Sequence, residues 1–239
     1  MDAAWFELIR AYCERVDPGF WAEPLNAVSN AAFLIAAAAA ALRERRGAVR
    51  DPAARALAAL VLVVGIGSFL FHTLAQRWAM LADVIPIALF IYAYFLLAMR
   101  RFLGLGAAGA LAATLAFAAF GAGLAPLLDA ATGLSSAQAS NGSIDYVPAL
   151  LGLLGVAAGL LVTPQTRALA PARRVAGRRL LAIAGLFLVS LICRTLDRAL
   201  CAGLPTGTHF LWHALNAAVL YGLIETARQV RGRAAGAAR

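Results

Sequence analysis

The sequence contains no lysine: all 21 of its basic residues are arginine, set against 12 acidic residues. Charged residues fill only 14% of the 239 positions, while 62% are hydrophobic. A soluble globule carries about 25% charged and about 45–50% apolar residues, so this composition excludes one. It excludes disorder as well, which needs low hydrophobicity and high charge. Three cysteines without a CxxC pair are too few for a disulfide scaffold. No cleavable leader is expected, because Asp2, Glu7, Arg10, Glu14, Arg15, Asp17 and Glu23 interrupt any apolar core before residue 25. No repeat of regular period is visible, and histidine occurs only three times.

What is present is apolar length. The mean hydropathy of +0.79 fits a multi-pass membrane protein, and about seven spans of roughly 20 residues would use the whole chain. The expected fold is therefore an all-α bundle of seven transmembrane helices forming a single unit, residues 1–239. Residues 1–24 form an outer N-terminal segment and 225–239 a basic cytoplasmic tail. Charge-free apolar windows place the spans at 25–42, 56–75, 79–99, 102–121, 146–162, 180–195 and 208–224, the sixth being the shortest. Many are rich in alanine and glycine, which lets helices pack closely in lipid.

The arginines give the direction. Arg43, Arg45, Arg46, Arg50 and Arg55 follow the first span, and Arg100 and Arg101 follow the third. Arg167, Arg173, Arg174, Arg178 and Arg179 follow the fifth, and Arg228, Arg231, Arg233 and Arg239 lie in the tail. The other side holds Arg10, Arg15, Arg77, Arg194 and Arg198, so the division is sixteen against five. Positive charge stays inside, which puts the N-terminus outside and the C-terminus in the cytoplasm. An even number of spans would break this alternation. Arginines spaced between apolar runs act as topology signals, so the net charge of +9 does not point to nucleic acid.

Ionisable groups inside spans are costly and are functional candidates. Ser68 and His72 lie four apart near the end of the second span, on one helix face. Asp83 lies near the start of the third. His209 and His213, again four apart, open the seventh, and Asn216 continues their face as a supporting polar residue beside them. The topology brings these groups to one depth on the outer side, and all three histidines converge there. Each has a plainer reading alone: histidine as a packing residue, Ser68 bonded to the carbonyl one turn back, Asp83 as a proton relay or structural carboxylate.

Together they suit a metal. Three neutral imidazoles, His72, His209 and His213, fit Zn²⁺ and leave a fourth position for water. A water so bound has a pKa near about 7 and becomes a nucleophile. Asp83, not itself a ligand, is placed to carry its proton, and Ser68 to stabilise a developing oxyanion. This chemistry is hydrolysis of an amide or ester within the membrane.

The chain resembles the alkaline ceramidase family, within the seven-span membrane hydrolases that include adiponectin receptors. The likeness rests on Cys13-Glu14, the run from Ala22-Glu23-Pro24 to Ser29-Asn30, Gly65-Ile66-Gly67-Ser68 with Phe71-His72, Asp83 eleven residues on, Leu196-Asp197 with Cys201, and His209 with Trp212-His213. The resemblance implies zinc at the three histidines and catalytic roles for Ser68 and Asp83. It also supplies a substrate class: a ceramide-like lipid amide, cleaved to a long-chain base and a fatty acid. Family members that respond to calcium carry an acidic cluster on the N-terminal segment. Glu14 and Glu23 match two of its positions, Ala11 and Val16 stand where an acid and an amide are expected, and Asp17 is the residue that would compensate. These three acids are the candidate Ca²⁺ ligands. Cys13 and Cys201 both fall on the outer side and within matching motifs, which implies a disulfide, with Cys193 left as a free thiol.

Two other functions compete. A receptor or signalling protein with a residual zinc site is disfavoured by short termini. A proton-coupled transporter is disfavoured by the lack of paired, Gly/Pro-broken spans. The expected partner is a ceramide-like membrane lipid, with no nucleic acid and no obligate protein partner. The arginine- and alanine-rich composition suggests a bacterial genome, which would place the chain in the inner membrane with its site toward the periplasm.

Overall fold

The computed structural model describes residues 3–162 and 170–237, and their regular structure is helical. Arg167 and Arg239, two of the topology arginines, lie outside the described residues. A short helix α1 (Pro24–Ser29) runs into α2 (Ala31–Arg46) with a break at Asn30. There follow α3 (Pro52–Leu74), α4 (Arg77–Arg101), α5 (Ala107–Thr132), the single turn α6 (Ser136–Ala139), α7 (Val147–Val162), α8 (Ala170–Leu200) and α9 (His209–Ala237).

Local chemistry explains several ends. Pro24 and Pro52 occupy first helical positions, where a missing N–H does no harm. Asp51 caps α3 by accepting a hydrogen bond from Ala54 N at 3.3 Å. Ala75 ends α3 in the left-handed conformation, so that only Ala75 and Gln76 separate α3 from α4. An antiparallel bridge, Leu8 with Gln76, ties the N-terminal segment to this corner.

Six stretches among the described residues are long and apolar enough to cross a membrane: Pro24–Arg46, Pro52–Leu74, Arg77–Arg101, Ala107–Thr132, Ser143–Val162 and Ala172–Leu200. The helix α9, at 29 residues, is long enough but not apolar enough. His209, His213, Asn216 and Glu225 lower its hydropathy. Two expected boundaries differ most from the observed helices. The fourth expected span is 102–121, whereas α5 begins at Ala107, after Gly104 at φ 75°. The sixth, read as the shortest, is the longest helix among the described residues, at 31. Its first turns carry Arg173, Arg174, Arg178 and Arg179, and an apolar window reads only the part beyond them.

Within the bundle α3 packs on α2 and α4, and α9 packs on α2, α3 and α8. Alanines dominate the contact faces, as at Ala36, Ala37, Ala40 and Ala58. The outward face is the reverse of a soluble protein's, with Leu111, Leu115 and Leu127 of α5 exposed. At the arginine-rich end, Arg101 donates to both oxygens of Asp51 at 2.7 and 3.1 Å and to Ala227 O at 3.0 Å. This pins α3, α4 and α9 together there. The opposite end carries the histidines.

Candidate functional site

Gly67 sets the site's geometry. A Cβ there would collide with the backbone carbonyl of Ala82, so only glycine lets α3 and α4 touch at this level. That close approach places Ser68 and His72 of α3 beside Asp83 of α4. The α9 helix enters from the other side, because Asp197 holds its start: one carboxylate oxygen accepts from Thr208 N at 2.7 Å and His209 N at 2.9 Å. The other accepts from Cys13 N at 3.0 Å. Gly207, at φ 62°, leaves room for this carboxylate.

His72, His209 and His213 come together fully buried, with one ligand nitrogen from each lying within 4.8 Å of the others. Their ring centroids are 4.6 to 5.1 Å apart. Among the described residues this is the one group of His, Cys, Asp or Glu side chains able to hold a metal ion. Two further observations fit a cation. His72 Nε2, His209 Nδ1 and Asp83 Oδ1 are buried without a hydrogen-bond partner, which a native interior rarely tolerates. The far nitrogens of two rings are held by the protein: His72 Nδ1 by Glu23 Oε2 at 2.6 Å, and His213 Nδ1 by Ser29 Oγ at 2.7 Å. Such outer bonds orient ligand imidazoles in metal sites. Ser68 Oγ lies 3.5 Å from His213 Nε2.

Tyr12 stacks on His209 with ring centroids 3.5 Å apart. Burial pushes the Tyr12 phenol above its ordinary value, opposed by Arg194, whose guanidinium donates to Tyr12 Oη at 2.7 Å. Arg194 also lies over the rings of Tyr146 and Trp212 at 5.3 and 5.4 Å. Beneath the histidines an apolar cavity opens within the bundle, lined by Phe33, Phe90, Phe117, Leu153 and Phe187. Asn216, expected beside the histidines, lies on the wall of this cavity.

The three acids named as calcium ligands do not converge on a common centre. Glu14 accepts from Leu25 N and Asn26 N at 2.7 and 2.9 Å and so closes the start of α1. Asp17 accepts from Gly19 N at 2.6 Å in an exposed turn. Glu23 is bonded to Arg15, Asn26 and His72. Calcium takes six to eight oxygens, and this donor set does not fit it. Cys13 and Cys201 are joined by a disulfide with Cα atoms 5.3 Å apart, and Cys193 is free.

Sequence reasoning missed Ser29, Arg15, Tyr12 and the role of Asp197. Each acts on a partner 50 or more residues away, or through backbone groups, and no spacing rule signals that. The clue for Ser29 is its place one turn after Asn26 at the head of the first span.

Fold and site thus define a multi-pass membrane protein with a buried tri-histidine centre able to bind metal, set above an apolar cavity. The Ceramidase family profile matches residues 11–233, most of the chain, and the chain belongs to that family. No curated protein matches it. Membership implies an amidohydrolase whose substrate is the lipid ceramide.

Proposed function

We propose that the chain is a zinc-dependent intramembrane hydrolase that cleaves the amide of ceramide-like lipids to a long-chain base and a fatty acid. The carrying observation is the set of three buried imidazoles, two of them (His72 and His209) with an unpartnered nitrogen, beside an unpartnered carboxylate oxygen of Asp83. His72, His209 and His213 would hold Zn²⁺, which when bound supplies a Lewis acid and an activated water. Asp83 accepts the attacking water's proton at its free carboxylate oxygen and returns it to the departing amine nitrogen. Ser68 donates its hydroxyl to the scissile carbonyl oxygen as negative charge develops there. The apolar cavity takes a hydrocarbon chain and keeps bulk water away from the reacting amide.

The same proposal takes α9 as the seventh span, with the N-terminus outside and the C-terminus cytoplasmic. Polar side chains exclude α9 from the most apolar class, yet His209, His213 and Asn216 are buried within the bundle, where such residues belong. The disulfide then lies on the outer side, in an oxidising compartment. In a bacterial cell that is the inner membrane with the site toward the periplasm.

The test is zinc content per chain for the parent and for His72→Ala, His209→Ala and His213→Ala, with fatty-acid release from a panel of lipid amides. One zinc in the parent, loss of zinc in each variant and release of fatty acid from ceramide are expected. Full zinc in all three variants would overturn the ligand assignment.

A further inference from the structure

Arg15 is 2% exposed, and its guanidinium is enclosed by the protein. Five oxygens surround it. Nε donates to Glu23 Oε1 at 2.6 Å. One terminal nitrogen donates to Asp17 O at 3.3 Å and Gly19 O at 3.2 Å, and the other to His72 O at 2.8 Å and Thr73 O at 3.4 Å. A carboxylate and four carbonyls, drawn from two distant segments, form the kind of oxygen shell that a hard cation receives. Two of the carbonyls belong to the last turn of α3, whose C-terminal groups lack helical partners and favour positive charge.

Burying an arginine is costly unless its hydrogen bonds are met, and here all three nitrogens donate. The N-terminal loop is folded around it, with Arg10 donating to Arg15 O at 3.2 Å and Val16 O at 3.0 Å. Glu23 is the point of the arrangement. One oxygen is neutralised by Arg15, while the other accepts from Asn26 Nδ2 at 3.0 Å and meets His72 Nδ1 at 2.6 Å. Arg15 also grips the backbone carbonyl of His72 itself. The guanidinium therefore fixes both the backbone of His72 and the carboxylate that orients its ring.

We infer that Arg15 is a built-in cation: it occupies the place that the N-terminal acidic segment would offer to a calcium ion and positions His72 through Glu23. The chain is thus independent of calcium. Arg15 is a positioning residue that acts on the metal centre through Glu23 and the end of α3. The positioning half rests on the reading of His72 as a zinc ligand; the calcium half does not.

Two measurements on detergent-purified protein decide it. The first is equilibrium dialysis with radioactive calcium, together with the melting temperature with and without calcium. The parent is expected to retain no calcium and to show no shift, whereas Arg15→Glu, which exchanges the cation for an acid, gains saturable binding. One calcium bound per parent chain would overturn the proposal, and because this arm needs no variant, misfolding of Arg15→Glu does not protect it. The second is zinc retention against a competing chelator. Arg15→Met and Glu23→Gln are expected to hold zinc about 10–100-fold more weakly, with part of the loss recovered in Arg15→Lys. Arg15→Met holding zinc as tightly as the parent, while folded, would refute the positioning role. A parent chain that never holds zinc would instead overturn the hydrolase reading and leave the calcium arm to decide this one.

Discussion

At His72 three demands meet in one ring: Glu23 takes Nδ1, the buried Nε2 has no protein partner, and Arg15 holds the backbone carbonyl. Asp83 has a different balance, since one of its carboxylate oxygens is left unpartnered beside the imidazoles. A proton carrier needs that free oxygen. Asp83→Asn keeps the shape but cannot accept a proton, so it is expected to retain zinc and lose about 10²–10⁴-fold in turnover. Parent-level turnover would make Asp83 structural. Ser68→Ala removes one donor and is expected to cost about 10²–10³-fold, or less if another group shares the role. The histidines were legible in the sequence because they are few, two of them are spaced by one helical turn, and the arginine topology gathers all three at one depth. Ser29 and Arg15 were not, because their partners lie 184 and 57 residues away.

At the scale of elements, lipid thickness makes helices easy to find and hard to end. Apolar windows located each long helix but stopped where arginine begins, which is why α8 proved the longest rather than the shortest. The contact between α3 and α4 depends on Gly67. Gly67→Ala sets a methyl against a backbone carbonyl that cannot rotate away, and overpacking of this kind typically costs about 1–3 kcal/mol. A lowered melting temperature with weaker zinc retention is expected, since the same contact spaces Ser68 and His72 from Asp83. At the opposite end, burial disfavours the charge of Asp51, yet Arg101, Ala54 and Arg231 outweigh it and hold the carboxyl below its ordinary range. A carboxyl depressed on folding stabilises fully above its unfolded value, and that stability is lost as pH falls through the folded one. Asp51→Asn is expected to lower the melting temperature near neutral pH, because it leaves the largely buried Arg101 without its counter-charge, and to flatten its fall in acid. An unchanged acid limb would assign that limb to other carboxylates.

Across the whole molecule, one end is closed by Asp51, Arg101 and the carbonyl of Ala227, and the other by the disulfide, Asp197 and the N-terminal loop over the histidines. In the proposed topology the first of these ends is cytoplasmic and the second lies outside. In a Cys193→Ala background, a cysteine at exposed Arg77 is expected to react with an impermeant reagent from outside, and one at exposed Ala48 is not. The reverse pattern would invert the topology and place the site on the cytoplasmic face.

The claim on which the rest depends is that hydrolysis needs the metal held by the three histidines. Its most direct test is fatty-acid release from ceramide by the purified protein before chelation, after the metal is stripped, and after zinc is returned. Release that stops on stripping and recovers with zinc is the expected result. Undiminished release from protein shown to be free of metal would contradict it.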